Sequence, residues 1–201
     1  MLVSEQVIVD AFINGQSAAL SVFSVDPGDS SGWCWILISK KEYLKYGLKG
    51  SLERAKAHEL PAGNGPTGGT WRRFQQGTVS CNNAVGGVRE LIGIMAVCSL
   101  HAYHIAPNIK NDEMICLIED FTLRKMSSDK SLLSPVVIGS MLQMACNYSS
   151  LNVGIKRFSS SDAKTTNTDA RLKGLGMYEA HSRHSRDAIR HMILFLKKIG
   201  N

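Results

Sequence analysis

"RELIGIMAVCSLHAYHI", residues 89–105, decides the fold, because its neighbours arrange themselves around whatever element it forms. It is a continuous apolar run rich in β-formers. A turn, "APNIKND" (106–112), separates it from a second apolar run, "EMICLIEDFTLRKM" (113–126). The pair reads as two long antiparallel strands buried on both faces. Next comes "SPVVIGSMLQMACNY" (134–148), with Ser134 as N-cap and Pro135 at the first helical position. It predicts a central helix, apolar almost all round. "LNVGIKRFSSS" (151–161) is a further strand, and "TDARLKGLG" (168–176) a short helix closed by glycine.

Working outward, "SAALSVFSVD" (17–26) and "GWCWILIS" (32–39) flank a Pro, Gly, Asp and Ser cluster and predict two strands joined by a turn. Residues 39–60 predict one or two short helices broken near Gly47 and Gly50, with Ser39 as a cap. Residues 61–87 hold seven glycines and two prolines and read as mostly loop, with a strand around "GTVSC". The C-terminal stretch places Ile189, Met192, Ile193 and Leu196 on one helical side and Arg183, Arg186, Arg190 and Lys197 on the other.

A chain of 201 residues suits one domain with a full core. Its parts are 1–60, the Gly-rich loop 61–87, a core 88–180 and a basic C-terminal helix 181–201. The five cysteines are odd in number, lack a Cys-x-x-Cys pair and read as buried thiols in a reducing compartment. The N-terminus has no secretory leader pattern and no uncharged apolar stretch is long enough for a span, so the expectation is a cytoplasmic protein with no membrane contact.

The net charge of +6 is uneven: residues 1–155 hold 13 Lys/Arg and 13 Asp/Glu, residues 156–201 hold 10 and 4. Such a basic quarter suits a nucleic acid or other polyanion, or simply a solvated face. Trp71, Arg72 and Arg73, followed by Phe74, pair stacking surface with charge. With Arg183, Arg186 and Arg190 they are the nucleic-acid-binding candidates. The spacing of His181, His184 and His191 is compatible with a helix, but no neighbouring Cys or carboxylate pair completes a zinc set, and no metal is expected.

The element order from residue 88, with Asn167 and Ala170 in an Asn-x-x-Ala pattern and Leu175-Gly176-Met177 after it, resembles the GNAT superfamily of N-acyltransferases. The resemblance implies an α+β fold: a single mixed, mostly antiparallel sheet flanked by helices, with a splayed central strand pair. It implies an acyl-CoA or related donor, held near Leu123, Lys125, Ser127, Lys130, Ser131, Ser134 and Asn167. It also implies transfer to an amine, with Glu119 or Asp120 as base and His101 as a further candidate acid or base. Residues 124–134 contain no glycine where the family has a glycine-rich turn, which is similar in character to the Mom-type DNA-modification proteins of bacteriophages. The alternative is a non-catalytic nucleic-acid-binding or host-interaction protein. "RLKGLG" (171–176) spells a phosphate motif but sits at a helix end.

Overall fold

The structure, a computed structural model, describes residues 4–64, 70–105, 114–121, 130–148 and 153–200. Helix α1 (Glu5–Ile13) is capped by Ser4, whose hydroxyl accepts from Val7 N. It leads into β1 (Ala19–Asp26) and β2 (Ser30–Ser39), an antiparallel pair in register from Ala19↔Ser39 to Asp26↔Gly32. Helix α2 (Lys40–Ala57) bends at Gly47, whose φ of 64° only glycine adopts cheaply. Strands β3 (Glu59–Asn64) and β4 (Thr70–Arg72) form a small separate sheet, and β5 (Phe74–Ser80) pairs antiparallel with β2. The stretch expected as mostly loop therefore carries β4 and most of β3 as well as β5, which takes in the strand expected around "GTVSC".

Residues 84–105 form one helix, α3 (Ala84–Ile105), not a strand. Val88, Leu91, Met95, Cys98 and Ala102 are buried at spacings of three and four, while Arg89, Glu90, Gly93, Val97 and Leu100 are exposed. An apolar run of this length hides either period; helix wins because it pairs its own backbone over 22 residues without needing a neighbour. Among the described residues it is also the helix long and apolar enough to cross a membrane, but one side of it packs on the sheet.

Losing that strand changes the topology. After α3 come β6 (Met114–Asp120), α4 (Lys130–Tyr148), β7 (Val153–Ser159), α5 (Ser160–Thr166), α6 (Asp169–Gly174) and α7 (Arg183–Ile199). Helix α4 starts before Ser134, so Pro135 lies inside it rather than at its first position. The five-stranded sheet runs β5-β2-β1-β6-β7, with β6 parallel to both β1 and β7. β6 and β7 pair without a gap from Met114↔Val153 to Asp120↔Ser159, so no splayed pair exists there. The coarse expectation of one mixed sheet flanked by helices holds; the splayed acyltransferase arrangement does not.

Two apolar clusters cover the two faces. One joins Leu20, Val22, Ile36, Ile115 and Leu117 to α1, α2 and α7; the other joins Phe23, Val25, Trp33, Trp35, Cys116 and Ile118 to α3 and α4. The five cysteines are buried and form no disulfide. The "RLKGLG" string is the end of α6, with Gly176 at φ 65° just beyond it.

Candidate functional site: a carboxylate and histidine cluster at the ends of two parallel strands

Side chains alternate along a strand, so Val22, Ser24 and Asp26 of β1 share the α7 face, and so do Ile115, Leu117 and Glu119 of β6. Val25 lies opposite Ile118 in the parallel register, which sets Asp26 beside Glu119 at the C-terminal ends of adjacent strands. That edge is where open sheets with parallel strands expose their sites. Helix α7 is laid across it. Its N-cap Ser182 accepts from Ser185 N at 3.1 Å, and Ser185 Oγ donates to Gly77 O at 2.8 Å, tying the start of the helix to β5.

Gly32 makes this seating possible: a β-carbon there would lie 2.0 Å from the carbonyl carbon of His184 and 2.4 Å from Ser185 N. The backbone of α7 rests directly on β2, and the helix therefore delivers three polar side chains to the strand ends. His184 Nδ1 lies 2.9 Å from Asp26 Oδ2, and His191 Nε2 lies 2.9 Å from Glu119 Oε2. Between them in sequence, Asp187 is 3% exposed although charged. The ammonium of Lys164, from α5, stands 3.3 Å from Asp187 Oδ2 and 3.7 Å from Glu119 Oε1. Arg190 pairs with both Asp187 and Asp169.

Crowding acids has an electrostatic cost, visible at Asp26. Burial pushes the Asp26 carboxyl up to about 6, with the neighbouring Glu119 and Asp187 charges adding to it and His184 opposing. Burial acts upward on Glu119 too, but hydrogen bonds from His191 and Asp26, with the His191 and Lys164 charges, bring it to about 2. The hydrogen bond to Asp26 lifts His184 above its ordinary value. Since Glu119 is the carboxylate, His191 donates through Nε2, and its buried Nδ1 has no hydrogen-bond partner among the described residues.

Hard oxygen donors with one imidazole are the ligand chemistry of magnesium and manganese. Among the described residues no three His, Cys, Asp or Glu side chains are already arranged as a metal-holding group. The Lys164 ammonium bridging Glu119 and Asp187 is instead the stand-in cation. On that stand-in, which two of the acids share, Glu119 and Asp187 are placed for a cation; Asp26 and His184 match one in donor chemistry alone.

The sequence candidates fall in several places. Glu119 belongs to the cluster. Asp120 points to the opposite face, half-exposed, and accepts from Arg157 Nη1 at 2.9 Å. His101 is on α3 rather than at a strand end, with Nδ1 2.9 Å from Val97 O. Leu123, Lys125 and Ser127 lie outside the described residues; Lys130, Ser131 and Ser134 are in the first turns of α4. Asn167 is fully buried, its amide donating to Arg190 O at 2.9 Å. Trp71 is in β4, Arg72 is exposed beside it, and Arg73 is buried in a two-pronged pair with Glu42 at 2.8 and 3.0 Å. Arg183 is exposed, whereas Arg186 donates to Glu179 O and packs on Tyr178, and Arg190 is held internally as above.

Sequence reasoning missed Asp26, Asp187 and the pairing of both histidines. The signals were present: Asp26 closes an apolar strand just before Pro27-Gly28, and Asp187 is the one acid in residues 180–201, three after His184 and four before His191. Those intervals put all three on one side of a helix.

No family model matches the sequence, and no curated protein matches it. Among solved structures, the chain is similar to RuvC of Thermus thermophilus in complex with a Holliday junction substrate: 14% identity, 90% of this chain and 96% of that chain covered, TM-score 0.45. A second structure of Thermus thermophilus RuvC is also 14% identical, with 90% and 97% covered and a TM-score of 0.47. The closed, parallel β6–β7 pairing removes the splayed strand pair on which the acyltransferase resemblance depends, and with it go the acyl-CoA donor and the amine-transfer reading; neither similar structure is an N-acyltransferase. At such identity and TM-score, function has to be argued from the side chains.

Proposed function

We propose that this chain is a nuclease that hydrolyses phosphodiester bonds in nucleic acid, using the cluster at the ends of β1 and β6. The observation that supports this most directly is the convergence of Asp26, Glu119 and Asp187 from three separate elements at one sheet end, with the Lys164 ammonium between Glu119 and Asp187. Three acids crowded in a half-dry place cost stability, and such a cluster recruits the positive charge that a phosphate reaction needs.

A divalent cation held by Asp26, Glu119, Asp187 and His184 would supply charge neutralisation on a phosphate and acidify a water. The chain's own residues do the rest. His191 fixes the Glu119 carboxylate through a buried hydrogen bond, so its second oxygen faces Lys164. Asp26 orients His184 through Nδ1 and raises its basicity, and the imidazole is 45% exposed at its side chain. Lys164, 40% exposed at its side chain, carries a positive charge at the edge of the cluster that an approaching phosphate would meet. The basic excess of residues 156–201 favours a polyanionic substrate.

Cleavage of labelled DNA in magnesium or manganese, offered as a four-way junction, a duplex and a single strand, tests the reading. The junction belongs in the set because one similar RuvC was solved with a Holliday junction substrate. Metal-dependent cutting that disappears in both Asp26→Asn and Glu119→Gln is expected. Tight, salt-dependent DNA binding with no cutting under any metal would instead leave a binding protein.

A further inference from the structure

Ten residues along α7 from Asp187, about 15 Å at 1.5 Å per residue, the helix ends in a second polar feature of opposite sign. A cleft of about 490 Å³ opens between α2 and the end of α7, lined by Tyr43, Leu44, Leu48, Arg171 and Lys197. That volume is within the range of small-ligand sites. Among the described residues Arg171 and Lys197 line it and no acid does. Lys197 donates to Asn167 Oδ1, and the Arg171 guanidinium makes one long contact, 3.5 Å, to Thr166 O. Among the described residues neither has a carboxylate partner, in contrast to Lys156, Arg157, Lys164 and Arg190 nearby in sequence.

Holding two unpaired cations together is unfavourable. Burial, and then the Arg171 charge, lower the Lys197 ammonium to about 8. The opposite wall is apolar: Leu44 is 75% exposed at the cleft, beside Leu48. The walls are fixed, because Tyr43 Oη donates to Leu196 O at 2.8 Å and a β-carbon at Gly200 would lie 2.1 Å from that hydroxyl. The positive-φ bend at Gly47 separates Leu44 from the following turns of α2.

We propose that this cleft is an anion site for a nucleoside monophosphate, with the phosphate on Arg171 and Lys197 and the base against Leu44 and Leu48. Paired charges would be enough for inorganic phosphate; the exposed apolar wall is what favours a ligand with a flat, poorly solvated part. The site is separate from the acidic cluster and does not depend on the nuclease reading.

The test is calorimetric titration of the full chain, in metal-free buffer, with dAMP, with inorganic phosphate and with a short 5′-phosphorylated single strand. Saturable dAMP binding is expected, stronger than phosphate, weakened at least about tenfold in Arg171→Gln and in Lys197→Gln, and retained in Asp26→Asn. Lys197→Arg, which keeps the charge, should restore most of it and controls for folding. No saturable dAMP binding by folded protein, or binding that survives Arg171→Gln with Lys197→Gln combined, overturns the site. Binding of the strand without dAMP overturns the mononucleotide assignment. Because nothing is cleaved in this assay, failure of the nuclease reading leaves its outcome unchanged.

Discussion

Glu119 and Asp120 are adjacent in one strand and end up in different chemical worlds. Glu119 faces α7, is 6% exposed, and meets His191, Lys164 and Asp26. Asp120 faces the α4 side, is half-exposed, and is answered by Arg157, which is also hydrogen-bonded to Gln143. The same division runs across the sheet. Under α3 and α4 the face is Phe23, Trp33, Trp35 and cysteine, with the Trp35 indole donating to Ser21 at 2.9 Å; under α7 it ends in acids and histidines. Strand parity makes one face a core and leaves the rim of the other for chemistry.

The sharpest break of that contrast is a pair of isosteric changes. Glu119→Gln should cost cleavage at least about 100-fold, whereas Asp120→Asn should leave it within about twofold of the parent, both read as initial rates on labelled DNA. Equal losses would show that parity does not separate the two acids. Next in size, Gly32→Ala forces a β-carbon into the His184 backbone and should cost about 3 kcal/mol of stability, measured by urea unfolding. A neutral result would mean that α7 is not seated as described. His191→Phe keeps the volume but frees Glu119 and should lower activity roughly 10–100-fold, with the fold intact by circular dichroism.

The smallest effect is a pH signature. Asp26 is held up to about 6 from an ordinary value near 3.8. Between those pH values the folded chain keeps a proton that the unfolded chain releases, so the stability this group gives is complete below the lower value and lost as pH rises through the upper one. Asp26→Asn removes the titrating charge. Its gain in Tm relative to the parent should therefore be larger at pH 8 than at pH 4, even as cleavage disappears; a gain that is flat across this range would contradict the crowding of the acids.

Local pattern carried much of this molecule. Two short apolar runs flanking a Pro-Gly turn specify β1 and β2, the spacing of Ile189, Met192, Ile193 and Leu196 specifies α7, and Gly174 and Gly176 stop α6. The basic C-terminal quarter is likewise readable as composition. Residues 89–105 were not readable, because a run apolar on nearly every side satisfies both periods, and the choice between them moved β6 from an antiparallel hairpin to a parallel place between β1 and β7.

The site followed from that choice. Asp26, Glu119 and Asp187 are 93 and 68 residues apart in sequence, and only the parallel register of β1 with β6, together with Gly32 under α7, brings them to one sheet end, with Glu119 and Asp187 within reach of one lysine. The sequence by itself determined which segments are strands at the N-terminus, which helix is amphipathic and where the positive charge lies, since each depends on neighbours a few residues away. Tertiary structure alone decided which acids meet, because strand order and face are set by long-range pairing that no local period encodes.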